Sequence, residues 1–192
     1  MSFVPFRTGR SAGLRAVRRD PVAVIRPILK YGDGILLEPA RRVDAITPDI
    51  ERLVDDMIET MYAAPGVGLA APQVGVSLRM FVVDISLGRD PAGLIVMVNP
   101  EFVSRDGMQI EEEGCLSLPG FNATVVRPIH VAVKGLDRAG HEHVCEGHGL
   151  LARAFQHEMD HLDGRLFIDH LRGLKRDLIV RRIRKLTRTG QW

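Results

Sequence analysis

Apolar residues recur with a helical period early in the chain, over residues 47–66. Every third or fourth position is apolar there and the positions between are mostly polar or charged, which is the pattern of an amphipathic helix with one buried face. Thr47 precedes Pro48, as expected of a capping residue followed by a proline in the first turn. Pro65 and Gly66 interrupt the pattern. The sequence therefore predicts a helix over this segment.

Segments rich in apolar and β-branched residues follow this helix and are predicted as strands. They cover residues 78–86, 93–100, 124–137 and 141–147. The last two are joined through "DRAG" and are predicted to form a β-hairpin. A second helix is expected to start near Gly149 and to end at Gly164, and a third, basic helix is expected over residues 175–186. Strands grouped between helices predict an α+β fold, in which a mostly antiparallel sheet packs around the second helix and a C-terminal helix follows.

The composition narrows the class of protein. The chain has 192 residues, of which 45% are hydrophobic and 26% are charged, as in an ordinary globular domain. No apolar run approaches the roughly 20 residues that a membrane span requires, and the first residues lack the apolar segment of a secretory signal. Cys115 and Cys145 are too few for a disulfide framework, so a reducing compartment and no membrane partner are expected.

Positive charge is concentrated at the two ends of the sequence. Residues 1–19 contain five arginines and no acid, and residues 171–192 contain eight lysines and arginines and one acid, Asp177. Such segments suit a polyanion, although charges that are merely solvated explain the pattern about as well. The first segment also has the composition of an organelle transit peptide. Gly9 and Gly13 would nevertheless make it a poor amphipathic helix, so a bacterial extension fits at least as well. The protein is expected in a bacterial cytoplasm or, alternatively, in an organelle matrix.

The stretch "FQHEMDHLDG", residues 155–164, carries the strongest chemical signal. His157 and His161 are four residues apart, so their side chains project side by side from a helix, and Glu158 flanks them. Two histidines with an adjacent carboxylate suit metal-assisted hydrolysis. A pair of imidazoles is nevertheless an incomplete metal site, so a third ligand is required.

Several residues elsewhere in the chain could supply this third ligand. Phe167 occupies the position at which one peptidase group has a further histidine, and residues 175–190 offer no glutamate. The remaining donors are Cys115, His141, His143 and Cys145. The last three alternate along the predicted hairpin strand but interleave with acidic residues, which favours an exposed hairpin over a metal site. Cys115 follows Gly114, where the backbone can approach a metal closely.

Three segments together resemble the signature motifs of the peptide deformylase family. They are "GVGLAAPQVG" at residues 66–75, "EGCLS" at residues 113–117 and "QHEMDHLDG" at residues 156–164. Their order and separations are similar to those of the family. With the charge distribution, the resemblance divides the chain into a basic N-terminal extension (1–22), a deformylase-like catalytic domain (23–170) and a basic C-terminal helix (171–192).

The resemblance implies an enzyme that removes the formyl group from the N-terminal formyl-methionine of newly made polypeptides and releases formate. Nascent formyl-methionyl peptides are then the expected partners, and DNA is not. The basic C-terminal helix would dock on ribosomal RNA or, about equally well, be a solvated helix. Cys115, His157 and His161 would hold one divalent metal ion, which is typically Fe²⁺ in the family, while Zn²⁺, Ni²⁺ or Co²⁺ can substitute. Glu158 would act as general base and then as general acid.

The resemblance also implies roles for residues around the metal. Gln73 and the backbone N–H of Leu116 would stabilise the developing oxyanion. The residues that would border the substrate are Val67, Gly68 and Leu69. Val67 would lie close to the methionine pocket, although plain core packing explains Val67 and Leu69 equally well. Glu113 and Arg127 would shape the same region as an ion pair or, alternatively, would be solvated surface charges.

Other functions fit part of the pattern. "GVGLAA" fits a dinucleotide-binding motif, but a helix is predicted before it and a strand after it, which reverses the order that this motif requires. Another metallohydrolase, such as a peptidase, could use the same three ligands on unformylated amides. A non-catalytic RNA-binding module would instead have a closed site with four protein ligands and no role for Glu158.

Overall fold

In the part of the chain that the structure describes, three α-helices occupy segments in which apolar residues recur with a helical period. The computed structural model describes residues 23–192, so the basic extension expected over residues 1–22 lies outside the described residues. Helix α1 spans Pro48–Ala63, α2 spans Leu150–Leu162 and α3 spans Leu174–Arg188. The Thr47 side chain accepts a hydrogen bond from the N–H of Ile50, as expected of the predicted cap. No helix in the described part of the chain has the length and apolar character needed to cross a membrane.

The described residues contain seven β-strands, which form two antiparallel sheets. The strands are β1 (Gly68–Ala70), β2 (Met80–Val83), β3 (Ile95–Asp106), β4 (Gln109–Gly114), β5 (Asn122–Arg127), β6 (His130–Leu136) and β7 (Glu142–His148). The larger sheet has the order β1-β2-β3-β6-β7, and β4 pairs with β5 in the smaller sheet. Each of these neighbouring pairs is antiparallel. The predicted α+β class with a mostly antiparallel sheet is confirmed.

The larger sheet lies between α1 and α2 because its central strands are apolar on both faces. Phe81 and Met97 pack with Phe155 of α2 in one buried cluster. Met80, the neighbour of Phe81 on β2, packs with Met57 of α1 in a second cluster. Successive residues of a strand point to opposite faces, so a strand that is buried on both sides reads as a continuous apolar run. This packing places α2, with its two histidines, in the interior of the molecule.

The segment 124–137 forms two strands rather than the single strand predicted. β5 ends at Arg127 and β6 begins at His130 in the other sheet. Pro128 lies between them and has no backbone N–H to donate to a strand ladder. The predicted hairpin is present, since β6 and β7 pair along their length on either side of residues 137–140. β1 and β4 were not predicted because one has only three residues and the other is rich in glutamate.

Helix α3 is basic on its exposed side and apolar where it meets the smaller sheet. Val180 and Ile183 are buried in the cluster that contains Phe121. Trp192 packs edge-on against the same phenylalanine, with ring centroids 5.9 Å apart. The indole N–H of Trp192 donates to the carbonyl of Tyr31 at 2.8 Å. These contacts fasten α3 and the residues after it to the turn region that follows β4.

Candidate metal centre

Cys115, His157 and His161 lie together beside a cleft. Cys115 directly follows β4, and both histidines lie on α2. One candidate ligand atom from each residue lies within 4.8 Å of the other two, and Sγ of Cys115 is 3.3 Å from Nε2 of His161. No other group of histidine, cysteine and acidic side chains within residues 23–192 has this geometry. The fold therefore brings a cysteine from a distant loop to the helical histidine pair.

The candidate ligands strongly perturb the pKa values of Cys115 and His157. Burial alone would raise the pKa of the Cys115 thiol, but the adjacent imidazoles of His161 and His157 lower this pKa well below its ordinary value. Burial alone would lower the pKa of His157, but the thiolate and Glu113 outweigh burial and raise it. A thiolate with two imidazole nitrogens is the donor set of many tetrahedral zinc and related transition-metal sites. The residues present therefore fit a divalent metal ion.

Glu158 lies in the same cleft with its carboxylate buried. The residue is 3% exposed, and its Oε2 atom has no hydrogen-bond partner among the described residues. Burial raises the pKa of Glu158 to about 7, against the opposing effect of the two histidines. Gly68 of β1 lies so close that a side chain at position 68 would collide with this carboxylate. The edge of the larger sheet therefore packs directly against Glu158.

Gln73 directs its amide nitrogen toward the cysteine. Its Oε1 accepts a hydrogen bond from the N–H of Ala70 at 2.9 Å, and this contact fixes the orientation of the amide. Its Nε2 lies 3.2 Å from Oγ of Ser117 and 3.7 Å from Sγ of Cys115. Leu116, the residue after the cysteine, lines the same cleft. The structure therefore places both predicted oxyanion residues next to the thiolate.

The cleft has a volume of about 460 Å³ and is lined by parts of both sheets. Gly68 begins β1, the edge strand of the larger sheet, and Val67 directly precedes it. Glu112 and Gly114 come from β4 of the smaller sheet. Leu69 is fully buried in the apolar cluster beside α1 and does not line the cleft. Core packing therefore accounts for the Leu69 side chain, while Val67 and Gly68 face the cleft.

Glu113 and Arg127 form a buried ion pair, so the alternative of two solvated surface charges is wrong. Nη2 of Arg127 lies 2.8 Å from Oε2 of Glu113, and the residues are 4% and 5% exposed, respectively. The same carboxylate oxygen lies 3.2 Å from Nδ1 of His157. Burial alone would raise the pKa of Glu113, but hydrogen bonds from Arg127 and His157 outweigh burial and hold the pKa well below its usual range. The ionised carboxylate thus fixes the orientation of the His157 ring.

Two further charged residues contact the Glu113–Arg127 ion pair, and neither was assigned a role from the sequence. Arg153 places its Nη1 atom 2.6 Å from Oε1 of Glu113. Asp160 places its Oδ2 atom 2.8 Å from Nη1 of Arg127. Both residues lie within one helical turn of His157 on α2, at the spacings of neighbours on a helix surface. That spacing is the signal by which the sequence could have identified them.

The second group of possible ligands lies on the β6–β7 hairpin, where His141 is exposed but His143 and Cys145 are half-buried. The side chain of His141 is 80% exposed and lies beside Asp137 in the turn. Sγ of Cys145 is 3.6 Å from Nδ1 of His143, and these atoms belong to no three-residue metal group in the described range. Burial raises the pKa of Cys145, which disfavours the thiolate that metal binding requires.

Comparisons with known proteins show which family the chain is similar to. The chain matches the family described as "Polypeptide deformylase" over residues 25–177. A peptide deformylase of Acidobacterium capsulatum is 52% identical over 169 residues, which cover 88% of this chain and 99% of the relative. A peptide deformylase of Xylella fastidiosa strain M12 is 49% identical over 165 residues, which cover 84% of this chain and 96% of the relative. The crystal structure of a peptide deformylase from Legionella pneumophila is similar with a TM-score of 0.81 and 48% identity, covering 87% of this chain and 98% of that one.

Proposed function

Because the chain belongs to the polypeptide deformylase family, we propose that the residues around Cys115 carry out hydrolysis of a formyl amide. Members of this family are metal-dependent hydrolases that remove the formyl group from the N-terminal methionine of nascent polypeptides, and this chain is such an enzyme. The observation that supports the assignment of residues is the meeting of one thiolate and two imidazoles beside a buried carboxylate.

Cys115, His157 and His161 would hold one divalent ion. We assign Fe²⁺, and zinc, nickel or cobalt would fit the same donors because these ligand types do not select among them. When bound, such an ion supplies Lewis acidity, which polarises a carbonyl and makes water more acidic. Nδ1 of His157 faces Glu113, so Nε2 is the nitrogen left to act as a ligand.

Glu158 takes the proton from the attacking water and passes it to the departing amine. Oε2 of its buried carboxylate has no hydrogen-bond partner among the described residues. This oxygen can therefore accept a hydrogen bond from water. A carboxyl group whose pKa lies at about 7 can both accept and release a proton near neutral pH. Glu158 is therefore suited to act first as general base and then as general acid.

Gln73 and Leu116 stabilise the negative charge that develops on the formyl oxygen. The hydrogen bond from Ala70 to Oε1 leaves the amide nitrogen of Gln73 as the group that faces the thiolate. The backbone N–H of Leu116 is the second donor in this proposal. Donors that are fixed in place before the reaction stabilise a transition state without paying for their own reorientation.

The substrate binds as an extended strand along the outer edge of β1. An added strand gains main-chain hydrogen bonds from an open sheet edge, and pockets for its side chains provide selectivity. Val67 and Gly68 offer such an edge inside the cleft, and Val67 lies next to the methionine side chain. Leu69 supports this edge from the core, while Glu113, which lines the cleft, and Arg127 shape the same region as an ion pair.

Release of formate from a formyl-methionyl peptide tests this function. Protein purified without oxygen should release formate from the formylated peptide and should leave an unformylated peptide of the same sequence intact. Glu158→Gln should abolish turnover while the protein still binds its metal. Turnover on the unformylated peptide would indicate a peptidase instead, and full activity of the Glu158→Gln variant would exclude the proposed proton transfer.

The cellular setting is a separate part of the proposal. We place the enzyme in a bacterial cytoplasm, supported by its bacterial relatives, and we assign the exposed basic side of α3 to ribosomal RNA. Arg181, Arg184 and Arg188 are exposed on that helix, and phosphate contacts give affinity that falls steeply with salt. Replacing these three residues with glutamine should reduce co-sedimentation with ribosomes at low salt without changing formate release. Unchanged co-sedimentation would exclude this surface.

A further inference from the structure

We propose that Arg153 is a positioning residue, which holds Cys115 at the correct distance from the two histidines by joining α2 to the smaller sheet through Glu113. The inference rests on the proposed function, since it takes Cys115, His157 and His161 to be the metal ligands. Arg153 has no role in the motifs that define the family resemblance.

One guanidinium nitrogen of Arg153 contacts both strands of the smaller sheet. Nη1 lies 2.6 Å from Oε1 of Glu113 and 3.3 Å from the carbonyl oxygen of Glu111, both on β4. The same nitrogen lies 3.3 Å from the carbonyl oxygen of Val125 on β5. Cys115 directly follows β4. A single side chain on α2 therefore fixes the strand that carries the thiolate.

The position of Arg153 on α2 makes this contact relevant to the imidazoles. Arg153 precedes His157 by four residues, so the two side chains are neighbours on one helix face. Both reach the same carboxylate, because Oε2 of Glu113 lies 3.2 Å from Nδ1 of His157. Displacement of Glu113 would therefore disturb the His157 ring and the approach of β4 to α2 together.

Burial makes these contacts stronger than an ordinary surface ion pair. Arg153 is 5% exposed and Glu113 is also 5% exposed. Charge-assisted hydrogen bonds that are shielded from water hold their geometry more firmly than exposed pairs, which are often worth little. Arg127 of β5 makes a second connection between the same elements through Asp160 of α2. Replacement of Arg153 should therefore weaken the packing of β4 against α2 without abolishing it.

Arg153→Met tests the proposal, with Arg26→Met as a matched control. Arg26 also donates to a buried carboxylate, at 2.9 Å from its Nε to Oδ2 of Asp56, but it lies on the side of α1 rather than at the candidate metal group. Each variant is loaded with cobalt, and the decay of the thiolate-to-cobalt absorption is followed after addition of excess chelator. Metal should leave Arg153→Met about 10- to 100-fold faster than wild type, which is the usual range for loss of a group that orients a metal ligand.

Two comparisons separate positioning from general stabilisation. Arg153→Lys should give an intermediate dissociation rate, because an ammonium keeps the charge but is more strongly hydrated than a guanidinium and is therefore less suited to a buried contact. Arg26→Met should lower the unfolding midpoint with an unchanged metal dissociation rate. In a Glu113→Gln background, Arg153→Met should have a smaller effect than in wild type, because the charge that strengthens the shared contact has already been removed and residues that share a contact are not additive.

Either of two results would overturn the proposal. One is a dissociation rate in Arg153→Met that matches the rate in Arg26→Met. The other is a full effect of Arg153→Met in the Glu113→Gln background, which would mean that Arg153 acts independently of Glu113. Neither result depends on turnover, so failure of this inference is distinguishable from failure of wild-type protein to release formate.

Discussion

Replacing Gln73 with alanine would remove two different hydrogen-bonding functions. The oxygen of this amide accepts from the N–H of Ala70, and its nitrogen faces Ser117 and Cys115. Loss of one oxyanion donor costs about 3–4 kcal/mol of transition-state stabilisation, so kcat should fall by roughly 10²- to 10³-fold. The buried Ala70 N–H would also lose its partner, which should lower the free energy of unfolding by about 1–3 kcal/mol.

Two companion variants separate these effects. Gln73→Glu keeps an oxygen that can accept from Ala70 but replaces the amide donor with an acceptor. Its kcat should therefore be as low as that of Gln73→Ala even though an acceptor for Ala70 is kept. Ser117→Ala removes a neighbour of the amide nitrogen and leaves the donor in place, so its kcat should remain within about tenfold of wild type, a smaller loss than removal of the donor itself.

Formate release at saturating formyl-methionyl peptide is the assay, with metal content measured on each preparation. Urea unfolding of the same preparations gives the stability differences. A near-normal kcat in metal-loaded Gln73→Ala would refute the donor role, whatever the change in stability. A lower kcat that merely tracks lost metal would refute it as well.

Three other outcomes are expected. Gly68→Ala should lower kcat by roughly 10²-fold, because the added carbon would displace the Glu158 carboxylate and a shift of about 1 Å is sufficient for such a loss. Gly34→Ala is the control and should have no effect, because its added carbon meets nothing within 4 Å. Burial and a hydrogen bond to Asp84 raise the pKa of Tyr62 to about 12. Below pH 10, the free energy of unfolding in urea should therefore be about 1 kcal/mol higher for wild type than for Tyr62→Phe, and this difference should disappear as the pH rises toward 12. Added chelator should lower the melting temperature of metal-loaded wild type but not of Cys115→Ala.

Local sequence patterns were sufficient to predict the helices and the histidine pair. α1 and α2 have an apolar period and clear end signals, and the four-residue spacing of His157 and His161 puts both on one helix face. Cys115 could not be chosen in this way. Its position beside the histidines depends on how β4 packs against α2, so it was identified only through the resemblance of three motifs.

Burial of charged side chains was the least predictable feature. Glutamate and arginine are usually at the surface, and nothing in the local sequence of Glu113 or Arg127 shows that they pair in the interior. The split of residues 124–137 into two strands likewise depends on the partners available on each side of Pro128. These features arise from contacts between segments that are distant in sequence.

The contacts of Trp192 have a consequence for the order in which the protein matures. Its indole N–H bonds to the carbonyl of Tyr31, a residue 161 positions earlier, and the N–H of Tyr31 bonds to the carbonyl of Ser117 at 2.8 Å. The loop that bears the cysteine is thus braced by polypeptide synthesised long after it. During translation this brace cannot form until residue 192 has left the ribosomal tunnel. An enzyme that processes unfinished chains therefore completes its own active-site support only after synthesis has passed that residue.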